Sequence, residues 1–193
     1  INPNDIPLLE EYGATLGEAG RYRDMLAQAR KIITLDGNNS KAYYLQATLS
    51  ARAGNYELAR RLMARVTGPF SELAGPRMLL AIVEYEMGNA NQSIDLLEQL
   101  VQAQPYNLEM RLLLAQAMHK SGDHEDAWAA LATIADRPDA DSFTLLLAGR
   151  VLEALDEPKK AALYLQRAAF TSSLTGAALP EPSPMAAAAD DAR

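Results

Sequence analysis

Residues 19–39 read AGRYRDMLAQARKIITLDGNN. In this stretch a glycine turn is followed by a tyrosine, an apolar pattern of helical period and a polar stop. The turn returns four times at a constant spacing of 34 residues, without an insertion: AGNY at 53–56, MGNA at 87–90, SGDH at 121–124 and LDEP at 155–158. A fixed period of this length is the sequence signature of a repeat protein.

Each copy predicts a pair of helices, because one apolar pattern precedes the turn and another follows it. The turn glycine ends the first helix, since glycine adopts a left-handed conformation at little steric cost. Asp156 takes the place of this glycine in the fifth copy. Asp123 is positioned to cap the second helix of the fourth copy. In the second copy, the Gly68-Pro69 step should end the second helix early.

Small residues recur at two places in the copies. Seven residues before each turn glycine or its equivalent stand Gly13, Ala47, Ala81, Ala115 and Gly149. Five residues after it stand Met25, Ala59, Ser93, Ala127 and Ala161. Small side chains at these places let the two helices of a pair approach closely. One pair has too little core to be stable alone, so neighbouring pairs must stack.

The 34-residue unit, with small residues at its eighth and twentieth places and a Gly-x-Tyr turn, resembles the tetratricopeptide repeat. The copies span 6–39, 40–73, 74–107, 108–141 and 142–175. The resemblance implies an all-α fold, a right-handed α-solenoid of about five helix-turn-helix repeats over residues 1–170. Beyond Phe170 the apolar period fails, and we expect 171–193 to be a flexible tail or linker rich in alanine and proline.

Composition excludes several classes of function. The formal net charge of -7 argues against a nucleic-acid partner, because such binding depends on clustered lysine and arginine. The chain has no cysteine and no apolar run long enough to span a membrane. We expect a soluble protein, periplasmic or cytoplasmic. Its amino-acid composition, rich in alanine, leucine and arginine, suggests a bacterial source.

Catalytic and metal motifs are missing from the sequence. The two histidines, His119 and His124, stand five residues apart, which is not the spacing that places a zinc pair on one helix face. No glycine-rich phosphate loop and no nucleophile motif occur. Neighbouring carboxylates such as Glu10-Glu11 and Glu84-Glu86 lie on predicted helix surfaces. We interpret them as solvent-exposed charges and not as an acid-base pair. The sequence therefore predicts no enzyme activity, no cofactor and no metal site.

The resemblance places the second, fifth, ninth and twelfth residues of each copy on a concave groove. Many of these residues are apolar, as at surfaces that recognise partners. We predict that the groove binds an apolar helix or extended peptide of a protein partner through Tyr44, Met78, Ile82, Tyr85, Leu112, Gln116, His119, Leu146 and Arg150. The alternative is that Met78, Leu112 and Leu146 are core residues or are covered by the tail.

The resulting hypothesis is a non-catalytic protein-binding scaffold. By family analogy it would serve assembly of a bacterial envelope complex, such as a secretion, pilus or polysaccharide-export system. One alternative is a regulatory or substrate-recruiting domain of a larger enzyme, and another is a self-associating structural array. The carboxylate clamp of co-chaperone relatives is absent, because Glu10 and Ala14 stand at its places.

Overall fold

The computed structural model describes residues 3–175, with side chains described through residue 171. The predicted tail beyond residue 175 therefore lies outside the described residues. Within the described range all regular secondary structure is helical, and no helix there is long and apolar enough to cross a membrane. The chain divides into two compact units, one ending at Gly88 and one beginning at Asn89.

The first unit contains five α-helices. They are α1 (Ile6–Glu18), α2 (Tyr22–Leu35), α3 (Ser40–Arg52), α4 (Tyr56–Met63) and α5 (Ala74–Glu86). Each helix packs against the next, and the first helices of neighbouring pairs also touch, α1 with α3 and α3 with α5. The core between the first two pairs includes Leu16, Met25, Ala29, Ile32 and Leu45.

The second unit also contains five α-helices. They are α6 (Ala90–Ala103), α7 (Leu108–Ser121), α8 (His124–Ala135), α9 (Ser142–Ala154) and α10 (Pro158–Thr175). Successive helices pack against each other here too, and the first helices α7 and α9 are in contact. A small cluster formed by Ala140, Leu145 and Ala168 closes the core beside α10.

The helix boundaries follow the period of the sequence. The helices α1, α3, α5, α7 and α9 begin at residues 6, 40, 74, 108 and 142, at the predicted spacing. The predicted fold class, all-α helix pairs of the repeat type, is confirmed. Helix α10 continues through Thr175, five residues past Phe170. The residues after Phe170 lose the apolar period, but the first helix-breaking residue among them is Gly176.

The turn residues adopt the predicted left-handed conformation. The φ angles are +69° at Gly20, +73° at Gly54, +85° at Gly88 and +97° at Gly122, and Asp156 reaches +58°. A β-carbon added at any of the four glycines would meet no atom within 4 Å. The requirement for glycine at these turns is therefore one of backbone conformation and not of space.

Close approach within a pair is most stringent between α9 and α10. A β-carbon added at Gly149 would lie 2.5 Å from Leu165 Cδ2, closer than any real contact. In the first pair, Met25 stands where the other copies have a small residue, and its sulfur faces Gly17 at 3.1 Å from the added β-carbon position. Glycine in α1 therefore makes room for the larger side chain in α2.

Side-chain caps begin several helices, with one exception to the sequence prediction. The side chains of Asn39, Asn55, Asn107 and Asp141 accept hydrogen bonds from backbone amides in the first turn of their helices. The predicted cap by Asp123 is wrong, since its side chain accepts no such bond from α8. The hydroxyl of Ser121 donates to Asp123 Oδ2 at 2.5 Å instead, which occupies the carboxylate.

The second helix of the second pair ends early, as predicted. Helix α4 stops at Met63, and a short 3₁₀ segment follows at Gly68–Glu72. The segment is anchored to α3, because Ser40 Oγ donates to the carbonyl of Thr67 at 3.0 Å and accepts from its amide at 3.0 Å. The connection between α4 and α5 is therefore irregular, but hydrogen bonds between Ser40 and Thr67 hold it against α3.

Replacing Gly54 by Ala should lower stability by about 1 kcal/mol, because an L-residue is strained at a left-handed φ. The thermal midpoint should fall by about 2–4 °C for a chain of this size. Gly37→Ala is the matched control, since Gly37 is not among the residues with positive φ. Equal losses in the two variants would contradict the conformational explanation.

Ser93 generates a second prediction about stability. Its side chain is fully buried, and its hydroxyl has no hydrogen-bond partner among the described residues. An unsatisfied buried hydroxyl costs roughly 1 kcal/mol, so Ser93→Ala should raise the thermal midpoint. Ser50→Ala is the control, because Ser50 donates to the carbonyl of Gln46 at 2.8 Å. A midpoint that falls in Ser93→Ala would show that the hydroxyl is satisfied.

Candidate partner-binding surfaces

Four of the nine predicted groove residues lie in the first unit. Tyr44 is on α3, whereas Met78, Ile82 and Tyr85 share a face of α5. We call these four residues the α3–α5 surface. Tyr44, Met78 and Tyr85 are half-buried, so part of each side chain reaches solvent. Ile82 is only 6% exposed, and a partner would reach it only if neighbouring side chains moved.

The 3₁₀ segment shapes one edge of the α3–α5 surface. The ring of Phe70 meets the ring of Tyr44 edge-on, with 5.6 Å between the ring centroids. Gly75 lies beside the same tyrosine, and a β-carbon there would be 3.3 Å from the Tyr44 hydroxyl. Burial raises the pKa of Tyr44, so the phenol stays protonated at neutral pH.

The face of α5 around Tyr85 is anchored by an ion pair between a buried carboxylate on α5 and a partly exposed arginine on α4. Glu84 is 5% exposed, and its Oε1 lies 2.7 Å from Arg60 Nε on α4. This contact compensates a carboxylate that would otherwise be costly to bury. Burial, followed by the nearby carboxylate of Glu86, raises the pKa of Tyr85. The tyrosine is therefore a neutral, amphipathic group on a fixed helix.

The other five predicted residues lie in the second unit. Leu112, Gln116 and His119 are on α7, and Leu146 and Arg150 are on α9, its neighbouring first helix. We call these five residues the α7–α9 surface. Leu112, His119 and Leu146 are half-buried, and Arg150 is exposed. Leu146 also packs against the cluster around Leu145, so it has a structural role as well.

Gln116 differs from the other members of the α7–α9 surface because it is 3% exposed. Neither its amide nitrogen nor its amide oxygen has a hydrogen-bond partner among the described residues. An unsatisfied amide in the interior is unfavourable. Gln116 thus lies beneath the surface that Leu112 and His119 present, and a partner would contact it only after local rearrangement.

The two histidines meet, which the sequence did not predict. His119 Nδ1 and His124 Nδ1 are 3.1 Å apart across the turn between α7 and α8. A hydrogen bond here requires one Nδ1 to be protonated and to donate, and the other Nδ1 to be unprotonated and to accept. Two histidines five residues apart do not share one helix face, but they can meet across a turn. The glycine at position 122, which marks a turn between them, was the signal in the sequence that could have predicted this contact.

Burial and two neighbouring basic groups lower the pKa of His119. Burial is the largest cause, followed by the ring of His124 and the guanidinium of Arg150. Within residues 3–171 no three histidine, cysteine or carboxylate side chains come together as a metal site would require. In its neutral state the pair can donate or accept hydrogen bonds at the edge of the α7–α9 surface.

The place of the absent co-chaperone clamp is filled by a local network. Glu10 Oε2 lies 2.8 Å from Lys41 Nζ, and its Oε1 accepts a hydrogen bond from Asn39 Nδ2 at 2.7 Å. Asn39 also caps α3, so this network joins the first two helix pairs. Glu10 has a structural role at this position.

The histidine pair predicts a pH dependence of stability. The folded state lowers the pKa of His119 below its ordinary value of 6.5, so its neutral form is favoured by folding. This contribution is present above pH 6.5 and is lost as the pH falls through the lower folded pKa. The thermal midpoint of the wild type should therefore drop on acidification through this window.

Two substitutions test the origin of this drop. In His119→Gln the drop should be clearly smaller than in the wild type, because the perturbed group is gone. In His124→Gln most of the drop should remain, because burial of His119 is the largest cause. Thermal melts between about pH 7.5 and pH 5 measure the difference. Identical pH profiles for all three proteins would contradict the assignment.

Comparisons with known proteins agree with this geometry. Residues 84–142 match a tetratricopeptide-repeat family model. The solved structure described as YrrB, "a TPR protein with an unusual peptide-binding site", has a TM-score of 0.74 and 16% identity, covering 98% of this chain and 94% of that chain. No match was found among curated proteins.

Two further solved structures have the same fold. MamA from Desulfovibrio magneticus RS-1 has a TM-score of 0.75 and 16% identity, covering 87% of this chain and 95% of that chain. A tetratricopeptide-repeat protein from Parabacteroides merdae ATCC 43184 has a TM-score of 0.59 and 20% identity, covering 86% of this chain and 65% of that chain. The resemblance seen in the sequence is confirmed by the family match over residues 84–142, and the chain has the fold of tetratricopeptide-repeat proteins.

Proposed function

We propose that the chain is a non-catalytic scaffold that binds an apolar helix or an extended peptide of a protein partner. The observation that carries the proposal is the partial exposure of apolar and aromatic side chains on the first helices of both units. These helices are held by buried contacts behind them, so the exposed side chains stand on rigid supports. Rigid apolar anchors are the typical centre of a binding surface.

The chemistry of the two surfaces favours different parts of a partner. The α3–α5 surface presents two neutral tyrosines and Met78, residue types suited to apolar or aromatic side chains. The α7–α9 surface presents half-buried Leu112 on α7 and the exposed cation of Arg150 on α9. A peptide with apolar side chains and one carboxylate would satisfy the second surface.

The comparisons support a peptide-binding role without identifying the partner. YrrB is described as having a peptide-binding site, and it shares the fold of this chain at low identity. We extend the proposal to assembly of a bacterial envelope complex on family analogy alone. The partner would then be another component of such a complex.

Selection of peptides from a displayed library on the immobilised chain tests the function. We expect enrichment of sequences with apolar residues and at least one carboxylate. Tyr85→Glu and Arg150→Glu should each raise the dissociation constant of a selected peptide, if its binding uses that surface, by about tenfold or more. Their thermal midpoints should stay close to that of the wild type, because both side chains reach solvent.

Matched controls lie away from the two surfaces. Tyr106→Glu changes an aromatic side chain that is 93% exposed, and Arg61→Glu reverses an exposed charge on α4. Both should bind the selected peptides like the wild type. The proposal fails if no peptide is enriched, or if the controls weaken binding as much as the surface variants do. A large loss of stability in Tyr85→Glu would show that the residue belongs to the core.

A further inference from the structure

The α7–α9 surface has an apolar part and a polar part, which are displaced from each other along both helices. On α7, Leu112 is followed after four residues by Gln116, and on α9 Leu146 is followed in the same way by Arg150. Four residues of α-helix rise about 6 Å. His119, three residues after Gln116, lies on the same face of α7. We call the two leucines the apolar zone, and Gln116, His119 and Arg150 the polar zone.

Arg150 differs from the other arginines in the described part of the second unit. Arg111, Arg137 and Arg167 donate hydrogen bonds to protein oxygens. Arg150 is exposed and has no hydrogen bond or ion pair with any described residue, although Glu153 stands three residues further along α9. A guanidinium is a planar fork of N–H donors that matches the two oxygens of a carboxylate. Arg150 therefore offers an anion-binding group on a helix.

His119 adds a second donor to the polar zone. The groups that lower its pKa besides burial are His124 and Arg150, and no carboxylate of the described residues contributes to the shift. Its Nδ1 is engaged by His124 Nδ1 at 3.1 Å, so Nε2 is the ring nitrogen left for a ligand. When His124 donates in this contact, the neutral ring of His119 carries its proton on Nε2. Nε2 can then donate to an anion.

Gln116 has both a donor and an acceptor that are unmet. The side chain is 3% exposed, and neither Nε2 nor Oε1 has a partner among the described residues. A carboxylate has only acceptor atoms, so it would satisfy Nε2 alone. A main-chain peptide group has one N–H and one C=O, so it would satisfy both atoms. These groups are already paired inside a helix, and the matching ligand is therefore an extended chain.

We propose that the α7–α9 surface binds an extended segment of the partner in which an apolar residue and an aspartate or glutamate stand two positions apart. This ligand assignment rests on the peptide-binding function proposed above. The apolar side chain contacts the apolar zone. The carboxylate accepts hydrogen bonds from Arg150 and from Nε2 of His119, and the peptide group between the two residues pairs with the amide of Gln116.

The displacement between the two zones selects this sequence pattern. In an extended chain, side chains two positions apart point to the same side and are about 6.6 Å apart, close to the rise of four helical residues. Adjacent residues point to opposite sides. Residues four positions apart match the displacement only in a helix, whose peptide groups are already paired. A terminal carboxylate lies along the backbone and does not point to the surface with the apolar side chain, so we assign the anion to a side chain.

The amide of Gln116 makes the free chain less stable than it could be. An unmet amide in the interior is unfavourable, and an apolar side chain of similar size at this place would avoid the cost. At 3% exposure, Gln116 is reached only when a neighbouring side chain turns aside, so binding includes a local rearrangement. A ligand that satisfies the amide offsets this unfavourable state. Stability and binding therefore make opposite demands at position 116.

Selection from the displayed peptide library tests the sequence pattern, with each peptide followed by a fixed linker so that no terminal carboxylate is free. Among selected peptides that lose affinity in Arg150→Glu, we expect apolar and acidic residues two positions apart more often than four apart. Peptides without this pattern, or none that depends on Arg150, would overturn the ligand assignment and leave the scaffold function standing. If no peptide is selected at all, both fail. In a parallel library with free C-termini, enrichment there alone would identify a terminal carboxylate as the anion and overturn the assignment to a side chain.

A double-mutant cycle on one selected peptide tests the contact with Arg150. Replacing the acidic residue of the peptide by its amide should raise the dissociation constant for the wild-type chain about tenfold. In Arg150→Met the same replacement should change it less than about twofold, because the guanidinium is gone. Lys159→Met removes another exposed cation of the second unit, at the start of α10, and should retain the tenfold effect. A tenfold effect that persists in Arg150→Met excludes the contact.

Gln116→Leu tests the pairing with the peptide backbone. Its thermal midpoint should rise, while the dissociation constants of the acidic peptide and of its amide form should both increase about fivefold or more. Ser93→Ala is the matched control, because it also removes a buried polar group without a described partner and should stabilise the chain without weakening binding. Unchanged binding in Gln116→Leu would remove Gln116 from the site, and a lower midpoint would show that its amide is already satisfied.

The role of His119 has a spectroscopic test. The chain has only two histidines, so ¹⁵N spectra of the imidazole rings contain two sets of signals, which His124→Gln assigns. With the acidic peptide bound near pH 7.5, His119 should carry its proton on Nε2. A bound state with the proton on Nδ1 alone would contradict the contact between Nε2 and the carboxylate.

Discussion

The structure of each unit depends on how closely the two helices of a pair approach within that unit. Gly149 shows the constraint most directly, because a β-carbon there would lie 2.5 Å from Leu165 Cδ2. The equivalent alanines in the second, third and fourth pairs are fully buried. Once these contacts fix the approach of the two helices, the remaining apolar residues of the second helix pack in the interior. The 34-residue period places a small residue at the equivalent position of every first helix.

Equivalent positions of the copies have similar burial, so a residue whose polarity or exposure differs from that of its equivalents is informative. The sixth and tenth places hold buried apolar residues such as Leu113 and Ala117 in the later copies, but exposed Glu11 and Thr15 in the first. Helix α1 therefore has polar, exposed residues at places where the later first helices have apolar, buried ones. Leu163 and Phe170 depart in the opposite direction, since large apolar side chains occupy places that are exposed throughout.

Most of the fold could be predicted from the sequence because local signals and the period agree. The glycine turns indicated where the first helices end. The Gly68-Pro69 step indicated an early end of α4, and the helix stops at Met63, five residues before the glycine. Asp123 failed as a cap because the Ser121 hydroxyl engages its carboxylate, a competition between nearby side chains that spacing does not describe. Helix α10 extends through Thr175 although the apolar period ends at Phe170, because the residues that follow Phe170 can continue a helix without an apolar face.

The candidate surfaces were less predictable because a place in a repeat fixes a helix face but not the depth of a side chain. Ile82 and Gln116 occupy groove places and are nevertheless buried. The contact between His119 and His124 arises where two helices meet at a turn, so neither helical period contains it.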